Sequence, residues 1–306
     1  MRNAILLGIF TVLMAASAHA QYVPAAKPQK PAIPPAAAAD ATFVGAGDIA
    51  GCSDLSGAEA TAKLLDKIPG IVFAAGDLAY GSGTDQEFND CYGKTWGRHK
   101  ARTKPAPGNH EYNTKGAAGY YHYFGAAAGD PRQGWYSFEL GAWHVVSLNS
   151  NCAYIGGCEA GSTQEQWLRK DLASHPGVCT MAFMHHPLVS SGPQRSHAIH
   201  PELKSLWQAL YDAHAALVVV GHEHNYERFA PLDSDGDADP ARGIREFVVG
   251  SGGRNHTPLI AIHNSEVRNT DTFGVLKLTL HAKSYNWEFV PEAGKTFTDS
   301  GSEACH

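Results

Sequence analysis

Metal-binding residue types follow four apolar runs of the sequence. The runs lead into Asp48 in "ATFVGAGD" (41–48), Asp77 in "IVFAAGD" (71–77), His185 in "CTMAFMHH" (179–186), and His222 with His224 in "AALVVVGHEH" (215–224). A carboxylate at the end of a buried strand costs free energy unless a partner stabilises it. Because open α/β sheets bind ligands beyond the carboxyl ends of their strands, we expect these four ends to meet in one site.

Two further stretches add candidate donors. Tyr80 follows Asp77 by three residues in "GDLAY" (76–80), and Asn109 and His110 lie in "PGNHE" (107–111). Carboxylate, amide oxygen and imidazole groups suit iron, manganese and zinc. The two aspartates, the tyrosine, the asparagine and the three histidines are too many for one ion and fit two ions that share a carboxylate. Asp77 is the natural bridge. Taken singly, each residue could be an ordinary turn, surface or core residue.

The elements that must position these residues alternate between strands and helices. Helices are predicted at 56–70, 162–175 and 201–214, and capping boxes are predicted for Ser56 with Glu59 and for Ser162 with Glu165. A hairpin is predicted at 134–150 with its turn near residues 141–142, a strand at 244–253 and a second, long hairpin at 273–290. This alternation indicates an α/β fold.

The first 41 residues are not expected to belong to the folded domain. Residues 1–20 have a charged start at Arg2, an apolar run and a small-residue cleavage site at Ala18–Ala20, which indicates a secretory signal peptide. An uncleaved anchor is the alternative. Residues 21–41 are dominated by Pro and Ala, which is typical of an extended linker. We therefore expect an exported protein, periplasmic or secreted, whose catalytic domain spans residues 42–306.

The charge balance limits the partners. The net charge is −6, and no cluster of Lys and Arg stands out. This argues against nucleic acid or an anionic membrane as the main partner, but not against a small phosphate ester. No segment after the signal approaches the length of a membrane span. The oligomeric state is not predicted.

The chain has six cysteines, all after the signal, and an even number in an exported chain indicates disulfides. The sequence does not choose among the possible pairings. We guess Cys152–Cys158 as a small loop closure and, less firmly, Cys52–Cys91 and Cys179–Cys305. A metal site made of cysteines is the weaker alternative because no CxxC pair exists.

The order and rough spacing of five motifs resemble the calcineurin-like metallophosphoesterases. These are "GD" ending at Asp48, "GDLAY" (76–80), "GNHE" (108–111), "MHHP" (184–187) and "GHEH" (221–224), and the resemblance covers about residues 42–290. It implies a four-layer α-β-β-α sandwich of two mixed sheets flanked by helices. Residues 21–41 are too short for the extra N-terminal β-domain of the plant members, so a compact catalytic domain is expected.

The subtype resembles the purple acid phosphatase branch. Most of the superfamily has a histidine two residues after the first aspartate, where this chain has Ala50, but Tyr80 stands where that branch has a metal-binding tyrosine. A phenolate favours a ferric ion. The resemblance implies Fe(III) at one site, and zinc, manganese or ferrous iron at the other. The implied ligands are Asp48, Asp77, Tyr80 and His224 for the first site, and Asp77, Asn109, His185 and His222 for the second.

The resemblance further implies hydrolysis of phosphate monoesters by a metal-bound hydroxide. Asn109 and His110 would contact the substrate, and His110 would help to protonate the leaving group. A further substrate-facing histidine of the family is replaced here by Gln194, so Arg195 or His197 could bind the phosphate instead. His186 is expected to support the site without ligating, and Arg254 and His256 are outside candidates for the substrate rim.

Two other functions remain open from the sequence. A phosphodiesterase or phospholipase-like activity would use the same site and differ in the shape of the pocket. A non-catalytic protein that binds metal or phosphate is the alternative from another class, and the full set of donors with His110 argues against it.

Overall fold

The structure is a computed structural model that describes residues 39–192 and 200–306. The predicted signal (1–20), nearly all of the predicted linker (21–41), and Arg195 and His197 lie outside the described residues. The described strands are β1 (Ala41–Ala46), β2 (Ala50–Gly51), β3 (Ile71–Ala75), β4 (Ala79–Tyr80), β5 (Thr103–Ala106), β6 (Tyr136–Leu140), β7 (Trp143–Ser147), β8 (Cys179–Phe183), β9 (Leu217–Val220), β10 (Tyr226–Leu232), β11 (Ile244–Val249), β12 (Ser265–Asn269), β13 (Gly274–Leu280), β14 (Ser284–Pro291) and β15 (Ser300–Ala304). The described helices are α1 (Ser56–Leu65), α2 (Asp85–Glu87), α3 (Ala118–Phe124), α4 (Thr163–Ala173) and α5 (Lys204–Asp212).

The strands form two large mixed sheets and one small one. The first sheet has six strands in the order β15-β14-β13-β1-β3-β5, and β1, β3 and β5 are parallel. The second has seven strands in the order β12-β10-β11-β9-β8-β7-β6, and β11, β9, β8 and β7 are parallel. Strands β2 and β4 pair separately. In both large sheets the parallel strands lie together, which brings their carboxyl ends to one edge.

The layers follow from the alternation of side chains along the strands. In β9, Leu217 and Val219 belong to the core between the two sheets, whereas Val218 and Val220 face the other way into a second apolar cluster. That second cluster contains Leu168 and Leu172 of α4 and Leu206 and Leu210 of α5. Successive side chains of a strand point to opposite faces, so a strand that is apolar throughout must be covered on both sides.

Aromatic side chains connect the two sheets. Phe43 of β1 contacts Phe183 of β8 with ring centroids 5.6 Å apart, and Phe73 of β3 lies 6.4 Å from the same ring. Helix α1 adds Ala58 and Ala62 to this buried cluster on the side of the first sheet. The four-layer α-β-β-α sandwich is therefore confirmed.

The predicted hairpin and the predicted helix starts have different outcomes. Strands β6 and β7 pair around a turn at Gly141, whose φ of 63° suits glycine, so the hairpin is confirmed. The Ser162 hydroxyl accepts a hydrogen bond from Glu165 N as predicted, although the Glu165 carboxylate accepts one from Gly161 N. The capping box at Ser56 is wrong. Its own N–H donates to the Asp54 carboxylate at 2.9 Å, which makes Ser56 the first residue of α1 and not its cap.

All three disulfide pairings are confirmed. Cys52 is bonded to Cys91, Cys152 to Cys158 and Cys179 to Cys305, with Cα–Cα distances of 5.2, 5.2 and 5.6 Å. Such bonds persist in oxidising compartments. Within residues 39–192 and 200–306, none of the helices combines the length and the hydropathy that crossing a bilayer requires.

His144 is buried in the second sheet, away from the predicted ligands, and belongs to an ion cluster that reaches the surface at Glu139. Its ring nitrogens lie 2.7 Å from the Glu139 carboxylate and 2.7 Å from the Asp171 carboxylate, and the His175 ring stacks on it at 3.8 Å. Burial alone lowers the pKa of His144, but the hydrogen bonds to Asp171 and Glu139 raise it above its usual value. His144 is thus a strand residue whose two ring nitrogens both have partners.

We predict that this cluster makes stability depend on pH. A histidine whose pKa is raised on folding stabilises the protein below about pH 6.5, and the contribution is lost as pH rises through the folded pKa. His144→Gln should therefore lower the free energy of unfolding by about 1–3 kcal/mol at pH 6 and by less at pH 9. Urea unfolding at the two pH values measures this. The exposed pair of His122 and Asp85 offers a control in His122→Gln. Equal losses at both pH values would contradict the prediction.

Candidate metal centre

Four predicted ligands occupy equivalent places in the fold. Asp48, Asp77, His185 and His222 each lie two residues beyond the end of a strand, namely β1, β3, β8 and β9. Strands β1 and β3 are parallel neighbours in the first sheet, and β8 and β9 are parallel neighbours in the second. Each sheet therefore brings two ligands to the same edge of the sandwich, as the sequence predicts.

The apolar runs end as strands before these residues because the backbone turns there. Asp48, Asp77 and His222 have φ angles of 59°, 53° and 72°, in the left-handed region that residues other than glycine rarely adopt. Gly76 also has a positive φ of 78°, and a Cβ on it would lie 2.4 Å from His185 Nδ1. The glycine of the "GDLAY" motif is thus required by the close approach of His185 from the other sheet.

One group of donors is formed by Asp48, Tyr80 and His224. The Tyr80 hydroxyl donates to Asp48 Oδ1 at 2.6 Å and lies 3.1 Å from His224 Nε2. His224 Nε2 is 3.2 Å from the same Asp48 oxygen. The other Asp48 oxygen accepts a hydrogen bond from His222 N at 2.7 Å. Three donor atoms from three segments of the chain therefore converge on one point, where the sequence predicts the ferric site.

A second group is formed by Asn109, His185 and His222. Asn109 Oδ1 lies 3.1 Å from His185 Nε2 and 3.1 Å from His222 Nδ1. His185 Nε2 is also 3.2 Å from Asp77 Oδ2. Donor atoms of Asp48, Asp77 and His185 all lie within 4.8 Å of one another. Asp77 therefore lies between the two groups, which is the position that a shared carboxylate requires.

Hydrogen bonds to the remaining ring nitrogens orient two of the histidines. His185 Nδ1 donates to the Ala75 carbonyl at 2.9 Å, and His224 Nδ1 donates to Asn255 Oδ1 at 2.8 Å. In both rings Nε2 is thereby left without its proton in the neutral form and faces the other donors. This arrangement fixes the tautomer that a metal ion requires and is typical of metal-binding histidines.

The two buried carboxylates of the site favour the binding of cations. Asp48 and Asp77 are 0% and 2% exposed, and among the described residues neither forms an ion pair with Lys or Arg. Burial and the carboxylates of Asp48 and Asp77 raise the pKa of Tyr80 well above its usual value. Burial also lowers the pKa of His222 to about 3, so that its ring is neutral. Burial also acts on His185 and His224, but the Asp77 carboxylate raises the pKa of His185 to about 9 and the Asp48 carboxylate raises the pKa of His224 above its usual value. Two buried carboxylates, a phenol and three imidazoles are a set of donors that fits two metal ions.

The residues that the sequence predicts to contact the substrate differ in how close they lie to the two groups of donors. His110 Nδ1 donates to the Gly81 carbonyl at 2.7 Å, and its Nε2 lies 3.9 Å from Asp77 Oδ2, with the side chain 34% exposed. Asn109 is among the donors already described. The Arg254 guanidinium lies 5.0 Å over the Tyr80 ring, whereas His256 packs on Phe273 at 4.1 Å. Arg254 thus borders the site, and the His256 ring is stacked on Phe273 instead.

His186 lies beside the second group of donors. Its ring is 4.5 Å from the His222 ring, and its Nδ1 is 2.8 Å from Ser150 Oγ. The role expected for it, support without ligation, stays a prediction.

Two residues of the site were missed by the sequence analysis. The Glu111 carboxylate is fully buried and accepts hydrogen bonds from the backbone N–H groups of Asp77, Leu78, Ala79 and Gly108. It thereby ties the loop after β3 to the loop after β5. Burial and the Asp77 charge raise its pKa to about 7, against the effect of these N–H donors. Asn255, which orients His224, is the other; its place in "GSGGRNH" gave no signal of this contact.

Comparison with known proteins shows the family of the chain. The family model described as calcineurin-like phosphoesterase matches residues 43–226. Purple acid phosphatase 21 of Arabidopsis thaliana is 29% identical over 225 residues, which cover 67% of this chain and 50% of that protein. The chain thus matches only half the length of that relative.

Solved structures share the fold. A purple acid phosphatase of yellow lupin seeds superimposes with a TM-score of 0.70 at 20% identity, covering 87% of this chain and 54% of the other. GAP50, the anchor in the inner membrane complex of Plasmodium, superimposes with a TM-score of 0.65 at 14% identity, covering 87% and 89%. The similarity to the purple acid phosphatase branch is confirmed. Since the family model matches more than half of its length, the chain belongs to the calcineurin-like phosphoesterase family.

Proposed function

We propose that this chain is an exported phosphatase that uses two metal ions to hydrolyse phosphate monoesters. The observation that carries the proposal is the position of the buried Asp77 carboxylate between two groups of donors, one with Asp48 and one with His185. The substrate is a small phosphate ester, and export is supported by the three disulfides.

The types of donor in the two groups support a proposal for the two ions. Asp48, Asp77, Tyr80 and His224 would hold a ferric ion, and Asp77, Asn109, His185 and His222 would hold zinc, manganese or ferrous iron. When bound, such ions neutralise charge on the phosphoryl oxygens and lower the pKa of water at the site.

The chain's own residues would orient the substrate and move a proton. His110 is held by the Gly81 carbonyl through Nδ1, so that its protonated ring has Nε2–H free to donate to the leaving oxygen. The His110 ring also lies 4.4 Å from the Tyr80 ring, which limits its rotation. Arg195 and His197, outside the described residues, are proposed to bind the phosphate. Unchanged turnover after substituting each with alanine would argue against that role.

The hydrolysis of two related esters tests the activity. We expect the metal-loaded protein to hydrolyse 4-nitrophenyl phosphate faster than bis(4-nitrophenyl) phosphate. The reverse preference would favour the phosphodiesterase alternative. Tight binding of inorganic phosphate without hydrolysis of either ester, under any metal loading, would favour a non-catalytic binding protein.

The colour of the protein tests the ferric site. Tyr80 is the only donor of the set whose phenolate can give a visible charge-transfer band with Fe(III). We predict that the air-oxidised protein absorbs visible light and that Tyr80→Phe loses this band while it keeps the fold. Tyr120→Phe is the matched control, because Tyr120 is also buried and its hydroxyl donates to the Pro105 carbonyl away from the site. A colourless wild-type protein with full metal occupancy would exclude iron on Tyr80.

A further inference from the structure

A cavity opens beside the second group of donors. Its volume is about 300 Å³, and its lining includes Asn109 of the metal centre, His186 and Tyr154. A phosphate ester that is bound at the metal centre must direct its leaving group into neighbouring space. Because Asn109 lines both the centre and this cavity, the cavity is a candidate for that space.

Tyr154 presents an aromatic face at this cavity. Its side chain is 61% exposed, and only one other large apolar side chain among the described residues, Ile260 at 69%, is as exposed. The other face of the ring stacks on Tyr112, with centroids 4.7 Å apart and planes 19° apart. Tyr112 is only 8% exposed, and its hydroxyl accepts a hydrogen bond from Asn149 Nδ2 at 2.7 Å. A fixed ring therefore supports an exposed one.

The loop that carries Tyr154 is held in place. The Cys152–Cys158 disulfide closes it, and Gly157 N donates to the Cys152 carbonyl at 2.9 Å. Asn151 is 4% exposed, and its Nδ2 donates to the Pro107 carbonyl at 3.0 Å. This bond joins the loop to the segment that carries Asn109 and His110. An aromatic ring that is already ordered loses little conformational entropy when a ligand stacks on it.

We propose that Tyr154 is a stacking platform for the leaving group, so that the preferred substrates are phosphate monoesters of alcohols that carry a planar aromatic ring. A nucleobase and a simple aryl ring share this chemistry. Tyr112, the ring on which Tyr154 stacks, lies two residues after His110 and on the same turn, so the stack connects the platform to the proposed proton donor. The inference rests on the proposed phosphatase function and adds the class of substrate to it.

The test compares esters with matched leaving groups. Adenosine 5′-monophosphate is paired with ribose 5-phosphate, and benzyl phosphate with ethyl phosphate, because both members of a pair release a primary alcohol. Tyr154→Ala should lower kcat/KM for both aromatic esters by about tenfold, mainly through KM, since the lost stack weakens binding of the ring. The two esters without rings should change by less than twofold. Tyr154→Phe, which keeps the ring, should behave as the wild type.

The outcomes distinguish a failure of the stacking role of Tyr154 from a failure of the phosphatase function. Ile260→Ala is the control for loss of an exposed apolar side chain and should leave all four rates unchanged. Equal losses for aromatic and non-aromatic esters, or no loss for either, would overturn the platform while the phosphatase function stands. A loss confined to one aromatic pair would identify the nucleobase or the aryl ring as the group that stacks. A wild-type protein that hydrolyses none of the four esters would overturn the phosphatase function itself.

Discussion

Asp77→Asn is expected to lower kcat/KM for a phosphate monoester by about a thousandfold. In the proposed function this carboxylate would be shared by two ions, whose combined effect is worth several kcal/mol. Asparagine tolerates the left-handed backbone at this position nearly as well as aspartate. It also keeps an oxygen that can accept the hydrogen bond from His110 N, which is 2.8 Å long in the wild type. The variant therefore removes the charge and leaves the loop intact.

Steady-state kinetics and metal analysis after dialysis measure this effect together. Asp90→Asn is a matched control, because Asp90 is exposed and pairs only with Lys94 on its own turn among the described residues. We expect the control to keep its activity and the Asp77 variant to lose bound metal. An Asp77→Asn protein that keeps both its metal and activity within tenfold of the wild type would refute the bridging role.

Glu111→Gln is expected to lower the free energy of unfolding by about 2–6 kcal/mol. Each carboxylate oxygen of Glu111 accepts two backbone N–H groups, Oε1 from Leu78 and Ala79 and Oε2 from Asp77 and Gly108. Glutamine keeps one side-chain oxygen and has an NH2 group in place of the other. The two buried N–H donors that face this NH2 group therefore lose their acceptor, at about 1–3 kcal/mol each. Denaturant unfolding of the metal-free protein measures the loss without a contribution from bound ions.

Glu246 provides a graded control for that measurement. It is also fully buried, but each of its oxygens accepts only one N–H group, from Leu188 and from Val189. Glu246→Gln should therefore cost about half as much as Glu111→Gln. If the two variants lose the same stability, or if Glu111→Gln loses less than about 1 kcal/mol, the count of N–H donors does not explain the role of Glu111.

The sequence predicts the site well where side-chain type and strand position are enough. The strand ends at Asp48, Asp77 and His185 follow from apolar periodicity and from the rule that ligands bind at the carboxyl ends of parallel strands. The pairing of Cys179 with Cys305 could only be guessed, because it depends on how β8 and β15 approach across the two sheets.

The residues that the sequence did not reveal act through backbone groups or loop conformation. Glu111 binds four N–H groups whose directions exist only once two loops have folded. Asn255 reaches His224 across 31 positions, and Tyr154 acquires its position from a stack on Tyr112. The spacing of apolar residues along the sequence does not predict contacts of this kind. The failed cap at Ser56 has the same cause, since the neighbouring Asp54 competes for its N–H group.

The Cys179–Cys305 bond also affects the chain before it folds. It closes a loop of 126 positions that contains His185, His222 and His224, three of the seven proposed ligands. In the oxidised denatured chain these histidines are confined to a closed ring, and the chain-entropy account puts the resulting stabilisation of the native state at about 5 kcal/mol. Protein that is produced in a reducing cytoplasm would lack this restriction. Production in an oxidising compartment should therefore favour the folded chain, in which these three histidines lie close to the other proposed ligands.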